Sequence, residues 1–294
     1  MTTPQTDGGF NTGPIVRRLL LGSRLRQLRE ARGLTRDQAG WEIRASESKI
    51  SRMELGRVSF KERDVADLLT LYGVTESAQR DELLELTRQA NTPGWWHEYA
   101  DLLTPWFQSY LGLEAAATVI RSYELQFIPG LLQTEDYARA VVSIGHPHAD
   151  PAEIDRRVAL RMARRRLLDG PSPPKLWAVI DEAALRRPIG GAAVMRAQID
   201  ALIAATRLPA VQLQVVQFRT GGHAATGGAF SILRYGEPEL PDVVYFEQLT
   251  AGHFIEKRDD VDHYAAAMDQ LCLQATPPAQ TAAVLAELRD HIEG

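Results

Sequence analysis

The sequence predicts a multidomain, mainly α-helical chain. It has an N-terminal domain of five helices, a helical middle segment, and a C-terminal α+β domain with a small, mostly antiparallel sheet. Three observations carry this. Apolar residues recur at helical spacing from Val16 to about Gln89. After the break at Gly170-Pro-Ser-Pro-Pro174 the spacing changes to short β-like runs bounded by Gly and Pro. A length of 294 residues exceeds one ordinary domain and fits two or three. The expected layout is an unstructured polar arm over 1–14, a helical domain over 15–90, a helical middle region over 91–170 and an α+β domain over 171–294.

The first helix is expected over Val16–Arg32, with Leu21, Leu25, Leu28 and Ala31 on its apolar side and Gly33 ending it. Thr35 caps the second, Arg36–Ile43, in which Ala39 and Gly40 are small enough for a close helix crossing. Arg44-Ala45 makes the turn, where glycine would sit more easily. Ser46 caps the third helix, Glu47–Leu55, with Ile50 and Met53 inward and Gly56 ending it. Ser59 and Glu62 have capping-box spacing for a fourth helix reaching Tyr72. Thr75 opens a fifth, with Leu83, Leu84 and Leu86 as its apolar side. Two short helices joined by a tight turn, the second presenting small polar and basic side chains, form a device for placing a helix in the DNA major groove.

Charge distribution agrees. The chain carries −5 overall, yet residues 15–61 hold twelve Arg or Lys against five Asp or Glu, so this segment carries +7 and the remainder −12. A basic head on an acidic body is the asymmetry of a chain with one polyanion-binding module. The acidic body would also disfavour non-specific contact with DNA.

The spacing of Leu34-Thr35, Ala39, Ile43, Ser46, Ser48, Ile50-Ser51, Met53-Glu54 and Gly56 resembles the Xre or phage-repressor family of helix-turn-helix regulators, a lambda-repressor-like fold. The resemblance implies that the third helix reads DNA. It makes Glu47, Ser48 and Arg52 the base-edge contacts, since Arg suits guanine and Glu can accept from cytosine or orient a neighbouring Arg. It makes Arg36, Ser46, Lys49, Ser51 and Arg57 phosphate contacts, which fix register without reading sequence. It pairs Glu54 with Arg29 in a buried ion pair, architecture like Ile50 and Met53. The alternative is that these arginines form the solvated face of an ordinary bundle.

The segment after Asn91-Thr-Pro-Gly94 is rich in aromatics. Helical spacing favours core packing for them. The sharper reading makes Trp95, Trp96, Tyr99, Trp106 and Tyr123 a partner or ligand surface. Arginines 156, 157, 161, 164, 165 and 166 crowd one helix, Ile154–Asp169, and are expected to pair with nearby acids. Strands are expected at Leu176–Ile180, Val211–Phe218, Phe230–Tyr235, Val243–Glu247 and His253–Glu256, and helices at Gly190–Arg207, Val261–Leu273 and Thr281–Glu293. Thr220–Gly228 reads as a flexible hairpin loop, with a ligand lid as the alternative.

Taken together, Gly94-Trp-Trp-x2-Tyr-Ala-Asp101, the arginine-rich helix, Val179-Ile-Asp-Glu-Ala-Ala-Leu185 and Asp242-Val-Val-Tyr-Phe-Glu-Gln-Leu249 look like one actinobacterial family. In it a phage-repressor-type head is joined to a large domain of unknown function, and members resemble WhiJ-like sporulation regulators and antitoxin-like regulators encoded beside a small partner protein.

Enzyme signatures do not emerge. The seven histidines are scattered, one cysteine excludes an internal disulfide and a multi-cysteine zinc site, and no nucleophile elbow or phosphate loop occurs. Asp181-Glu182 are adjacent carboxylates without a matching His. No catalytic residue, metal site or cofactor is expected. No apolar run reaches the roughly 18 residues of a membrane span, and the first residues lack a signal-peptide layout, so a cytoplasmic, nucleoid-associated protein is expected. Its partner is expected to be double-stranded DNA, bound by a homodimer because one recognition helix offers few base contacts. A small partner protein encoded nearby and a small-molecule effector are the alternatives for the body.

Overall fold

The computed structural model describes residues 14–237 and 240–292. The chain forms two compact units, Met1–His97 and Glu98–Gly294. The arm expected over 1–14 lies outside the described residues, except that Pro14 already opens the first helix.

Among the described residues the smaller unit has five α-helices: α1 (Pro14–Ala31), α2 (Arg36–Glu42), α3 (Glu47–Glu54), α4 (Glu62–Leu71) and α5 (Ser77–Ala90). Leu21, Leu25, Ile50, Met53, Val65, Leu68, Leu69 and Leu83 close around one core. α1 crosses α3 at Gly22, where a Cβ would stand 2.5 Å from the Met53 carbonyl oxygen. The Ser59–Glu62 capping box does not form. Lys61 occupies the N-cap of α4 without a side-chain bond. The Asn91 side chain accepts from Phe60 N (3.1 Å) and donates to Phe60 O (2.6 Å), holding the chain extended there. Phe60 then sits buried with Val65, one residue before the cap and four after it, as a hydrophobic staple. Glu76, not Thr75, stands at the cap of α5.

Four of these helices end in the same way. The residue after the C-cap enters the left-handed region while two amides reach back to the last carbonyls. α1, α3 and α4 use Gly33, Gly56 and Gly73; α2 uses Arg44, at φ 54°. The Arg44 amide donates to Trp41 O (3.2 Å) and that of Ala45 to Gly40 O (2.8 Å). A side chain in this conformation costs roughly 1–2 kcal/mol, part of which glycine returns as unfolded-state entropy. Arg44→Gly is therefore expected to stabilise the unit by about 0.5–1 kcal/mol, read as a higher denaturant midpoint at unchanged slope. A lower midpoint would show that the Arg44 side chain compensates its own strain.

The larger unit contains α6 (Pro105–Ala116), β1 (Val119–Glu124), α7 (Glu135–Gly145), α8 (Pro151–Arg165), β2 (Lys175–Asp181), α9 (Glu182–Arg186), α10 (Ala192–Ala205), β3 (Val211–Val216), β4 (Phe230–Arg234), β5 (Val243–Glu247), β6 (Gly252–Ile255), α11 (Arg258–Gln274) and α12 (Pro278–Asp290). Its six strands lie in the order β3-β2-β1-β4-β5-β6. β1 pairs in parallel with β2, and β2 with β3; the other three pairings are antiparallel. The chain is thus mainly helical, with a helical head and a sheet-containing C-terminal part, as the sequence predicts. The central strand, β1, lies within the stretch expected to be helical.

One sheet face packs Tyr123, Val179, Phe230 and Val244 against Met268 and Leu271 of α11. On the other face Tyr245 stacks on Tyr110 of α6 at 4.1 Å between ring centres. The β3 edge is closed: Thr276 N donates to Val215 O and Thr281 Oγ1 to Leu213 O, both at 2.8 Å. Among the described residues β6 pairs with β5 alone. Thr220–Gly228 is not a hairpin loop, because β3 and β4 are separated by two strands. It passes over the carboxyl ends of β2 and β1. There His223 Nε2 lies 3.1 Å from the Tyr123 hydroxyl, which donates to Asp181 (3.2 Å).

Candidate nucleic-acid interface

Local chemistry builds the two short helices of the head. Thr35 accepts from Gln38 N while the Gln38 side chain accepts from Thr35 N, a reciprocal capping box on α2. Ser46 accepts from Lys49 N and caps α3. At about 100° per residue, Glu47, Ser51, Ser48 and Arg52 fall within an arc of about 140° on α3, and Met53, Ile50 and Glu54 fill the opposite side. The burial pattern follows: Ile50, Met53 and Glu54 are buried, whereas Glu47, Ser48 and Arg52 are exposed and Ser51 is half-buried.

Glu54 anchors the buried side. Its carboxylate accepts from Arg29 Nε (2.5 Å) and Nη2 (3.1 Å), with only 7% and 2% of the two side chains exposed. Arg29 Nη1 also donates to Leu34 O (2.7 Å), tying the pair to the turn before α2. The bond to Glu54 raises the Arg29 guanidinium above its ordinary range against the pull of burial. Arg36 is a third member, donating from Nε to Glu54 Oε2 at 2.9 Å. Its terminal nitrogens make no bond within the described residues, so the guanidinium is held at one end and open at the other. Lys49 pairs with Asp64 at 2.7 Å, joining α3 to α4. Ser46 spends its hydroxyl on the helix cap, and Arg57 is exposed.

Sequence reasoning therefore saw the Arg29–Glu54 pair but not Arg36 or Asp64, whose partners lie 18 and 15 residues away. It also passed over Trp41, which is 87% exposed on α2 and lines a shallow depression with Glu42, Arg44 and Ala45.

Of the aromatic candidates in the larger unit, Trp106 and Tyr123 lie on opposite faces of the sheet. Trp95 and Trp96 meet edge to face (5.9 Å between ring centres), and with Tyr99 they lie on a 3-10 stretch, Trp95–Leu102. Trp106 packs over Gly252 beside Tyr245. Tyr123, 1% exposed, is in the core on the opposite sheet face. The arginines of α8 mostly find partners: Arg156 with Asp101, Arg157 with Glu153, and Arg164 with Glu114. Asp181 caps α9 by accepting from Ala183 N, and Glu182 accepts from Phe218 N, so both carboxylates hold backbone. Among the described residues no group of three metal-ligating side chains occurs, and no helix is long and apolar enough to cross a membrane.

The family described as Domain of unknown function (DUF5753) matches residues 107–287, more than half of the chain. The chain belongs to the DUF5753 family. A second family, described as Helix-turn-helix domain, matches residues 20–83, the stretch that contains α2, the Arg44 turn and α3. No curated protein and no solved structure matches the chain. The DUF5753 match begins within α6 and runs into α12, so it takes in the whole sheet.

Proposed function

We propose that this DUF5753 protein is a sequence-specific DNA-binding transcriptional regulator that inserts α3 into the major groove. The observation that carries the reading is the division of α3 into an exposed arc of Glu47, Ser48, Ser51 and Arg52 and a buried arc fixed by the Glu54 pair, inside the helix-turn-helix match. Arg52, with Glu47 and Ser48, reads base edges. Arg36 offers its terminal nitrogens to a phosphate while Glu54 fixes its Nε. Lys49, Ser46, Ser51 and Arg57 are further phosphate contacts, with the Lys49 charge already matched by Asp64. The resemblance to Xre and WhiJ-like regulators supports this reading and its cytoplasmic, nucleoid-associated setting. Four outward side chains on one short helix favour a homodimer on an inverted repeat, with the DUF5753 part as its dimerisation and regulatory body.

The test begins with duplexes selected from a randomised library. Arg52→Ala is expected to weaken binding to the selected site by about 1–3 kcal/mol and to relax preference at one base pair. Arg36→Ala is expected to weaken binding to all sequences and to lower the salt slope by about 1. An equal loss for Arg52→Ala on random DNA would remove it from the readers, and failure to select any sequence would overturn the reading itself.

A further inference from the structure

The larger unit gathers charged side chains at one end of its sheet and leaves two of them, Glu124 and Arg161, without an ion pair among the described residues, while Arg164 is paired with Glu114 and Glu247 accepts from the Tyr245 hydroxyl (2.9 Å). β1 and β5 flank β4 and run the same way. Ser122 pairs with Ser231, and Ser231 with Tyr245, so these three form one row across the strands. Glu124 and Glu247 lie two residues beyond Ser122 and Tyr245, on the same face and at the carboxyl ends of their strands. From α8, Arg161 and Arg164 reach this face. Arg164 is taken by Glu114. Among the described residues Arg161 is not taken by a carboxylate, and its one bond there runs from Nη1 to Gln133 Oε1 (3.2 Å). Gln133 is itself fixed, donating to Ile128 O at 2.8 Å. Glu124 makes no hydrogen bond or ion pair among the described residues, and the buried Ser122 hydroxyl on the same face has no partner.

These groups nevertheless act on one another. Burial, and then Glu247, push the Glu124 carboxyl up to about 7, with Arg164 and Arg161 pulling the other way. Burial, and then Arg164, bring the Arg161 guanidinium down to about 10. A carboxylate and a guanidinium both bear the cost of desolvation, and neither collects the ion pair that would offset it. Two carboxylates need a cation between them, and the guanidinium needs an oxygen anion. The space between Glu124 and Glu247 lies at the carboxyl ends of β1 and β5, across β4.

We propose that this gap binds a small zwitterion of the α-amino-acid class, its ammonium between Glu124 and Glu247 and its carboxylate on Arg161. The ammonium relieves the repulsion of the two glutamates, and the free Nε and Nη2 of Arg161 suit a carboxylate. A divalent cation fits less well, because two carboxylates beside a guanidinium are a poor ligand set. The site lies wholly within the larger unit and stands whether or not the head binds DNA.

Thermal unfolding of the full chain at about pH 8 tests this, with each common L-amino acid as probe and propylamine, propionate and magnesium chloride as companions. At least one amino acid is expected to raise the unfolding midpoint with dose, and neither half-ligand to match it. Glu124→Gln keeps size and removes the repulsion, so it is expected to unfold at an equal or higher temperature and to lose the shift. Arg161→Met is expected to lose it as well. The titratable groups that act on Glu124 are Glu247, Arg161, Arg164, Tyr110, Tyr123 and Tyr137. With the carboxyl near 7, affinity is expected to fall about tenfold from about pH 8 to about pH 6 as Glu124 protonates. Absence of any shift, a shift retained by Glu124→Gln, or a shift with magnesium alone would each overturn the proposal.

Discussion

Glu54→Ala is expected to destabilise the smaller unit by about 3–5 kcal/mol. The carboxylate accepts two bonds from Arg29 and one from Arg36. The two arginines would not lose equally. The Arg36 side chain is 33% exposed and can turn to water, whereas that of Arg29 is 7% exposed and would be left as an unpaired buried charge. Most of the loss therefore belongs to Arg29, and it is large beside the roughly 5–15 kcal/mol of a whole domain. The double variant Arg29→Met with Glu54→Leu removes both charges and is expected to recover most of the loss. Denaturant unfolding of both variants checks this. A loss below about 1 kcal/mol for Glu54→Ala would mean that water reaches Arg29 and that the pair holds α3 only weakly.

Glu114→Ala is expected to have the second large effect, about 3–5 kcal/mol in the larger unit. Arg164 donates to Glu114 at 3.0 and 2.8 Å, and only 8% and 4% of their side chains are exposed. Burial alone would lower the Arg164 guanidinium; Glu114, charged and hydrogen-bonded to it, turns the shift upward. Phe107 and Tyr110 lie against that guanidinium at 5.4 and 5.6 Å from their ring centres. The Tyr110 hydroxyl also donates to Glu114 (2.8 Å), so truncation strands a second buried group. Glu114→Gln keeps an acceptor for Tyr110 and is expected to fall between the wild type and Glu114→Ala. Equal losses for the two variants would assign the whole effect to the lost charge, and a Glu114→Gln as stable as the wild type would assign it to packing.

The head was legible in the sequence because its devices are local. Thr35 with Gln38, Ser46 with Lys49, and the glycines after α1, α3 and α4 all act within a few residues. Legibility failed where a distant group intervened. Asn91 holds the Phe60 backbone from 31 residues away, where a Ser59 cap was expected, and Asp64 took Lys49 from the next helix. In the larger unit five strands were placed from alternation and turn residues. The order of strands follows from long-range pairing, which no local pattern encodes. β1 was hidden for a specific reason. It carries Arg121, Ser122 and Glu124 through the middle of a sheet, so its polar residues spoil the apolar pattern by which a buried strand is recognised. One charge of the candidate ligand gap, Glu124, lies on that same strand. Of the aromatic run, Tyr110 and Tyr123 proved to be core, as their helical and strand neighbours require.

The closed β3 edge governs how this sheet can grow. With Thr276 and Thr281 taking the Val215 and Leu213 carbonyls of β3, the β6 edge is the one left for a strand from outside among the described strands. Two copies joined edge to edge through β6 would each present a capped border to the outside, so the joined sheet is finite at two molecules. A border open on both sides would let copies add without end, which is the route to filaments. In such a pair one threonine amide and one threonine hydroxyl would stop further copies from adding.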